Sequence, residues 1–332
     1  MKMQKLFLSQ SNVGRIFFIG LLIVAAFASA TLNIAAQQPI TGEWVIDFNR
    51  TKADEVHLTL TRRTENGGIN TSSGNGIGLD KLQGLSREQA FGERANVAFR
   101  IVREAGTFEY EGMFRNGRGT GFWTLVPNPD FIQAMRSRGY DNLTENNLFS
   151  AALFDISIRF IEDLKAAGYD PLSFKELVNA RIFKVTPEFI REMKNARYEN
   201  LLMKELVNAR IFKVDASFAK EIEALGFERQ PLKSLVNLRI YKVTPEFIRE
   251  MRAAGFENLS LKDLTNFRIY KVTPEFVKEI KAEGFPSITP RDLISLRIYK
   301  VDADYIRRVK AKGYADVTLK QLINLRIHKI AE

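Results

Sequence analysis

The chain has 332 residues, no cysteine, two histidines and a formal charge of +10. That length leaves room for two domains and a sizeable core. Without cysteine there are no disulfides, thiolate metal sites or lipid-modified cysteine anchors, and His57 and His328 alone argue against a histidine-rich metal site.

In chain order the first feature is a leader. Lys2, Lys5 and Arg15 precede the apolar run 16–28, and Ala28-Ser29-Ala30 offers a small-residue cleavage site. This is the pattern of a secretory signal peptide over residues 1–30. The apolar run is shorter than the roughly 20 residues of a membrane span, so membrane contact is expected only if the leader stays uncleaved. Export to a periplasmic or extracellular location is the expectation, and it argues against nucleic acid as a partner despite the positive charge. Beyond the leader, the positive excess lies in the second half of the chain.

Residues 37–125 show a period of two. Val56, Leu58 and Leu60 alternate with His57, Thr59 and Thr61, and Val97, Phe99 and Ile101 alternate in the same way. Phe108, Tyr110 and Phe114 face one side, Glu109 and Glu111 the other. Alternation of this kind predicts half-buried antiparallel strands, and Asn116-Gly117 predicts a two-residue hairpin turn. Ser86 with Gln89 predicts a capping box opening a short helix. Residues 66–78, rich in Gly, Ser and Asn, read as a loop, giving a small β domain of four or five strands. Glycines 74, 76 and 78 lack the spacing of a phosphate-binding loop. Glu109 and Glu111 read as a solvated strand face and His57 as an exposed strand residue. No Ser/His/Asp or Cys/His set is available, so the expectation is a non-enzyme with no cofactor.

From about residue 126 to 332 one 29-residue sentence recurs. Val185, Val214, Val243, Val272 and Val301 stand 29 apart, residues 176–185 repeat as 205–214, and 185–193 repeat as 243–251. Fixed self-similarity at this period marks a solenoid built from one duplicated unit. Within residues 243–271, Thr244-Pro245-Glu246 predicts a helix start: a capping hydroxyl, proline at N1, and a carboxylate at the positive end of the dipole. Every member of the cap column (Asn128, Ser157, Thr186, Asp215, Thr244, Thr273, Asp302) is a good N-cap, worth about 1 kcal/mol over alanine. Gly255 at C′, Phe256 at C″ and Met251 at C3 predict a Schellman ending, with Arg197 breaking the glycine column. A second short helix follows, capped by Thr144, Ser173, Ser260, Thr289 and Thr318, with Leu202 and Pro231 as exceptions. The predicted fold class is therefore α+β multidomain: a small antiparallel β domain followed by an α-hairpin solenoid of six to seven repeats.

One phrase is left over once caps and core are assigned. Arg181, Arg210, Arg239, Arg268, Arg297 and Arg326 recur in register, and so do Lys184, Lys213, Lys242, Lys271 and Lys300 three residues later. Between them runs an aromatic column that includes Tyr241, Tyr270 and Tyr299. A structural role is one reading, the cations bonding helix C-terminal carbonyls and neighbouring acidic columns. The other is a basic, aromatic-flanked groove for an extended anionic partner: an acidic peptide, a polysaccharide or a lipid headgroup.

Residues 243–256 together with the Leu261, Leu264, Arg268 and Ile269 pattern resemble repeats in exported bacterial proteins of unknown role. They also resemble the repeats of the extracytoplasmic region of BlaR-type sensor metallopeptidases, and residues 105–114 share the likeness. The resemblance implies an extracytoplasmic sensing or interaction module. The peptidase itself is missing, since the chain has no His-Glu-x-x-His. Two functions are therefore expected: a protein-interaction or scaffold module using the helical-repeat surface, or a ligand-sensing module of an envelope signalling system with the β domain as its ligand site.

Overall fold

The alternating segment forms a six-stranded sheet in the order β3-β2-β1-β6-β5-β4, with β1 (Ile40–Asp47), β2 (Glu55–Arg63), β3 (Ile69–Gly78), β4 (Ala95–Arg103), β5 (Gly106–Arg115) and β6 (Arg118–Pro127). The computed structural model describes residues 39–48, 55–63 and 68–330, and the expected leader lies outside them. Asn116 and Gly117 both have positive φ in the β5–β6 hairpin, as a type I′ turn requires. Ser86 closes its capping box with Gln89 on α1 (Arg87–Phe91). The expectation of a loop over 66–78 is corrected: Ile69–Gly78 is strand β3, paired with β2 through a bulge at Val56/Leu58, which makes the sheet six-stranded rather than four- or five-stranded. Gly, Ser and Asn carry no hydrophobic period, and an edge strand takes its order from its neighbour's backbone, so the side chains there gave no strand signal.

One face of the sheet is an aromatic core. Trp44, Tyr110, Phe114 and Trp123 are each at most 1% exposed. Trp44 meets Phe99 edge-on at 5.3 Å, and its indole N–H donates to the Glu111 carbonyl at 3.1 Å. A Cβ on Gly112 would stand 2.8 Å from the Trp44 ring. Glycine is what lets that ring lie against the sheet. Glu109 and Glu111 are exposed on the opposite face, as their alternation predicts.

β6 ends at Pro127, two residues past the expected boundary, and helices follow with a single capping residue between. Seven hairpins are described. Their first helices are α2 (Pro129–Arg136), α4 (Ile158–Ala166), α6 (Pro187–Asn195), α8 (Ala216–Ala224), α10 (Pro245–Ala253), α12 (Pro274–Ala282) and α14 (Ala303–Ala311). Their second helices are α3 (Glu145–Leu153), α5 (Phe174–Ile182), α7 (Met203–Ile211), α9 (Leu232–Ile240), α11 (Leu261–Ile269), α13 (Pro290–Ile298) and α15 (Leu319–Ile327). We call these the A and B helices. Each is far below the 12–15 residues at which an isolated helix becomes even marginal in water, so stacking must hold them. A helices contact A helices and B helices contact B helices of the next unit, for example α6 with α8 and α5 with α7. No helix among the described residues is long and apolar enough to cross a membrane.

The punctuation acts as its residue types dictate. Thr244 Oγ1 accepts the Phe247 N–H at 3.2 Å, and the whole A-helix cap column accepts in this way. Phe256 N–H donates to the Met251 carbonyl at 3.1 Å and Gly255 N–H to that of Arg252 at 2.9 Å, the two bonds of a Schellman ending. Leu202 has no hydroxyl to accept, but its own N–H still reaches Glu205 at 2.8 Å, so half a capping box survives. The first hairpin docks on the sheet. Phe149 of α3 stacks on Trp123 at 5.3 Å, and the guanidinium of Arg62 lies 4.3 Å from the Phe149 ring.

Candidate interaction surface

The arginine column turns inward. The guanidinium carbons of Arg239, Arg268 and Arg297 sit 3.7, 3.8 and 3.9 Å from the ring centroids of Phe218, Phe247 and Phe276, on the A helices of their own units. Arg181, Arg210 and Arg326 lie over Phe160, Phe189 and Tyr305 at 5.2, 4.9 and 4.8 Å. A guanidinium over a ring is worth about 0.5–2 kcal/mol, more as water is removed. Arg181 and Arg210 also donate from Nε to the carbonyls of Phe154 and Phe183, at the C-terminus of the preceding B helix. Burial pushes the pKa values of Arg268 and Arg297 below the ordinary arginine value, with Glu250 and Glu279 pulling the other way. Pairing with acidic neighbours is rarer than the sequence suggested: among the described residues the column makes one ion pair within 4 Å, Arg181 with Asp155 at 3.0 Å. The helix-carbonyl part of the structural reading thus appears at two rungs, and ring stacking, which the sequence reading did not foresee, at all six.

The lysine column is punctuation as well, which corrects the expectation that capping leaves it unexplained. Lys184, Lys213, Lys242, Lys271 and Lys300 each have φ of 55–58°. Each is the C′ residue of a B helix: Val243 N–H donates to the Leu238 carbonyl at 2.8 Å and Lys242 N–H to that of Arg239 at 3.1 Å, the same two-bond ending as on the A helices. The A helices place glycine at this conformation in six units (Gly139, Gly168, Gly226, Gly255, Gly284, Gly313). A left-handed non-glycine residue costs about 1 kcal/mol or more. The B helices bear that cost at every one of these rungs.

What the side chains gain is solvent. None of the five ammonium groups has a carboxylate within 4 Å among the described residues. Beside each stands an exposed isoleucine: Ile182, Ile211, Ile240, Ile269 and Ile298 are 40–50% exposed. Tyr241, Tyr270 and Tyr299, between Ile and Lys, are exposed too, while Phe183 and Phe212 at the same place are half-buried. Within the described hairpins, exposed large apolar side chains outside this register are few: Leu202, Tyr314 and Ile330.

Two further columns share the B-helix face, and sequence reading passed over both. On α9, Lys233, Val236, Asn237 and Ile240 fall at i, i+3, i+4 and i+7, one stripe of a helix. The asparagines recur as Asn179, Asn208, Asn237, Asn266 and Asn324, with Ser295 interrupting. Their amides make no hydrogen bond among the described residues. The lysines of the first turn, Lys175, Lys204, Lys233 and Lys262, are exposed. The same 29-residue register that revealed the arginines carried this signal.

The A-helix edge differs. Lys194, Arg252 and Lys281 donate to the carbonyls of Ala167, Leu225 and Ala254 at 2.8, 2.6 and 2.7 Å, each ending the A helix of the preceding unit. Tyr140, Tyr169 and Tyr198 donate to carbonyls of the following unit at 2.7, 2.9 and 2.8 Å, and burial raises all three phenols above the ordinary 10.0.

A scan of known protein families finds no match to this chain, and a search of curated proteins finds none.

Proposed function

We propose that the chain is an exported, non-enzymatic interaction module whose B-helix face holds a partner. The observation that carries this reading is the recurrence, in one register, of exposed Ile, an aromatic ring and a Lys with no carboxylate partner among the described residues on five consecutive units. Contiguous exposed apolar surface on a soluble body marks an interaction site more often than decoration. Here a conformational cost at each lysine keeps a cation beside it. The resemblance to repeats of exported sensor proteins agrees with such a role. The six arginines and the candidate tyrosines then divide: the guanidinium groups pack the two helices of each hairpin together, and Tyr241, Tyr270 and Tyr299 with the lysines meet the partner.

The competing reading puts a ligand on the sheet, where Phe122 is 71% and Ile69 is 69% exposed beside Thr61 and Thr124. Full-length protein immobilised in envelope extract separates the two. The triple change Lys213→Glu, Lys242→Glu, Lys271→Glu is expected to lose the captured partner, while Lys220→Glu, Arg249→Glu, Lys278→Glu on the A helices keeps it. Retention by the first variant would overturn the B-face reading and move the site to the sheet.

A further inference from the structure

We infer that the partner held by the B-helix face is an extended acidic polypeptide segment, its backbone gripped by the asparagine column. This rests on the reading just given and adds the chemistry of the ligand.

Three properties of the face combine. Four consecutive rungs, Asn179, Asn208, Asn237 and Asn266, each offer a carboxamide with no hydrogen bond among the described residues, and a carboxamide both donates and accepts. A peptide backbone has one N–H and one C=O per residue needing such a partner, whereas a lipid headgroup has no such repeat, and an acidic polysaccharide, though its hydroxyls donate and accept, has no apolar side chain to set against the exposed isoleucines. Beside the amide lies an exposed Ile with an aromatic ring, for example Ile240 and Tyr241, a site for an apolar side chain. A cation flanks the stripe at each end, Lys233 in the first turn and Lys242 past the last, neither paired with a carboxylate among the described residues. The stripe itself carries no acidic residue, so its charge complement is acidic.

The spacing fits one chain conformation. Packed helices stand roughly 8–10 Å apart. A polyproline-II segment rises about 3.1 Å per residue with three residues per turn, or roughly 9 Å per turn, and keeps its backbone groups free of internal hydrogen bonds. One face of such a segment therefore meets successive rungs in phase. A β-strand has a period of two and would turn alternate side chains away at every third residue. The unbroken rungs at Asn179, Asn208, Asn237 and Asn266 accommodate about ten residues, and Ser295, whose hydroxyl already donates to the Arg291 carbonyl at 2.9 Å, marks a gap.

The test uses the full chain and a fluorescent twelve-residue peptide of four Glu-Leu-Pro triplets, read by anisotropy at low and high salt. The expected result is saturable binding that salt weakens and that the matching Lys-Leu-Pro peptide does not show. The variant Asn208→Ala, Asn237→Ala, Asn266→Ala is expected to weaken binding at least tenfold with an unchanged urea midpoint or a slightly raised one, because alanine is the better helix former and none of the three positions is fully buried. Absence of peptide binding, or binding indifferent to the three asparagines, would overturn the inference. So would sedimentation with phosphatidylglycerol vesicles that the lysine changes abolish and the asparagine changes do not. In that case the B-face reading stands, since the Lys213, Lys242, Lys271 variant still loses its partner, and only the peptide assignment fails.

Discussion

The two helical layers carry cations in the same 29-residue register but use them in opposite ways. On the A side, Lys194, Arg252 and Lys281 reach a carbonyl of the preceding unit, and six of the seven helices end on glycine, with Arg197 at φ 64° as the exception. On the B side five consecutive helices end on lysines that, among the described residues, touch no carboxylate, and the arginine next to each is folded onto a ring. A charged column in a repeat protein is thus not one object. Whether it joins units or faces outward depends on the helix end that carries it, and the residue at the left-handed position is the indicator.

Perturbations graded by size can break this contrast. The largest effect is expected inside the A layer, where Phe247 packs fully buried beneath Arg268. Phe247→Ala should cost about 3–5 kcal/mol in urea unfolding, the range for truncating a core aromatic. Arg268→Ala removes the stacked guanidinium and should cost about 1–2 kcal/mol, whereas Lys271→Ala, three residues on, should change stability by no more than about 0.5 kcal/mol. Equal losses for both would mean that the two columns share one role. Tyr169→Phe deletes the hydroxyl that joins one unit to the next at Leu201, with an expected loss of about 1 kcal/mol.

Smaller effects test the helix ends by their sign. Lys242→Gly should stabilise by about 0.5–1 kcal/mol, since glycine adopts this φ without strain. Gly255→Ala should destabilise, because φ is +91° and the new Cβ would stand 2.6 Å from Lys281 Nζ. Thermal unfolding of the two variants would therefore move in opposite directions. Acid gives the last test. Glu188, Glu246 and Glu275 accept hydrogen bonds from their own backbone N–H and the cap hydroxyl, which holds them below the ordinary 4.5. A folded-state value below the unfolded one means stability that is present above about pH 4.5 and lost as pH falls through the folded value. The urea midpoint should drop between about pH 6 and pH 3, and the triple Glu→Gln variant should show a smaller drop.

Much of this was legible in the sequence where the cause is local. Thr, Ser and Asp before a helix, proline at N1, and glycine before an apolar C″ each name their own conformation. Other features were not legible for definite reasons. Lysine at C′ gives no sign of positive φ, so the capping role of that column went unread. Stacking of Arg239 on Phe218 depends on how two helices of a hairpin face each other, which spacing alone does not state. Strand β3 is ordered by pairing rather than by its own side chains. An unpaired asparagine on a helix surface reads like a paired one until its neighbours are placed.

The identity of residues 176–185 with 205–214 has a consequence for any ligand longer than one rung and shorter than the array. Such a ligand meets nearly the same surface after sliding by one unit. Binding then has several near-degenerate positions, and a ligand free to occupy about three of them gains a statistical factor of about three in affinity, close to 0.65 kcal/mol from RT ln 3. It also dissociates along a path of small shifts rather than in one event. A protein built by copying a unit inherits a sliding coordinate, and single-molecule tracking along the array would show it as discrete steps one helix apart.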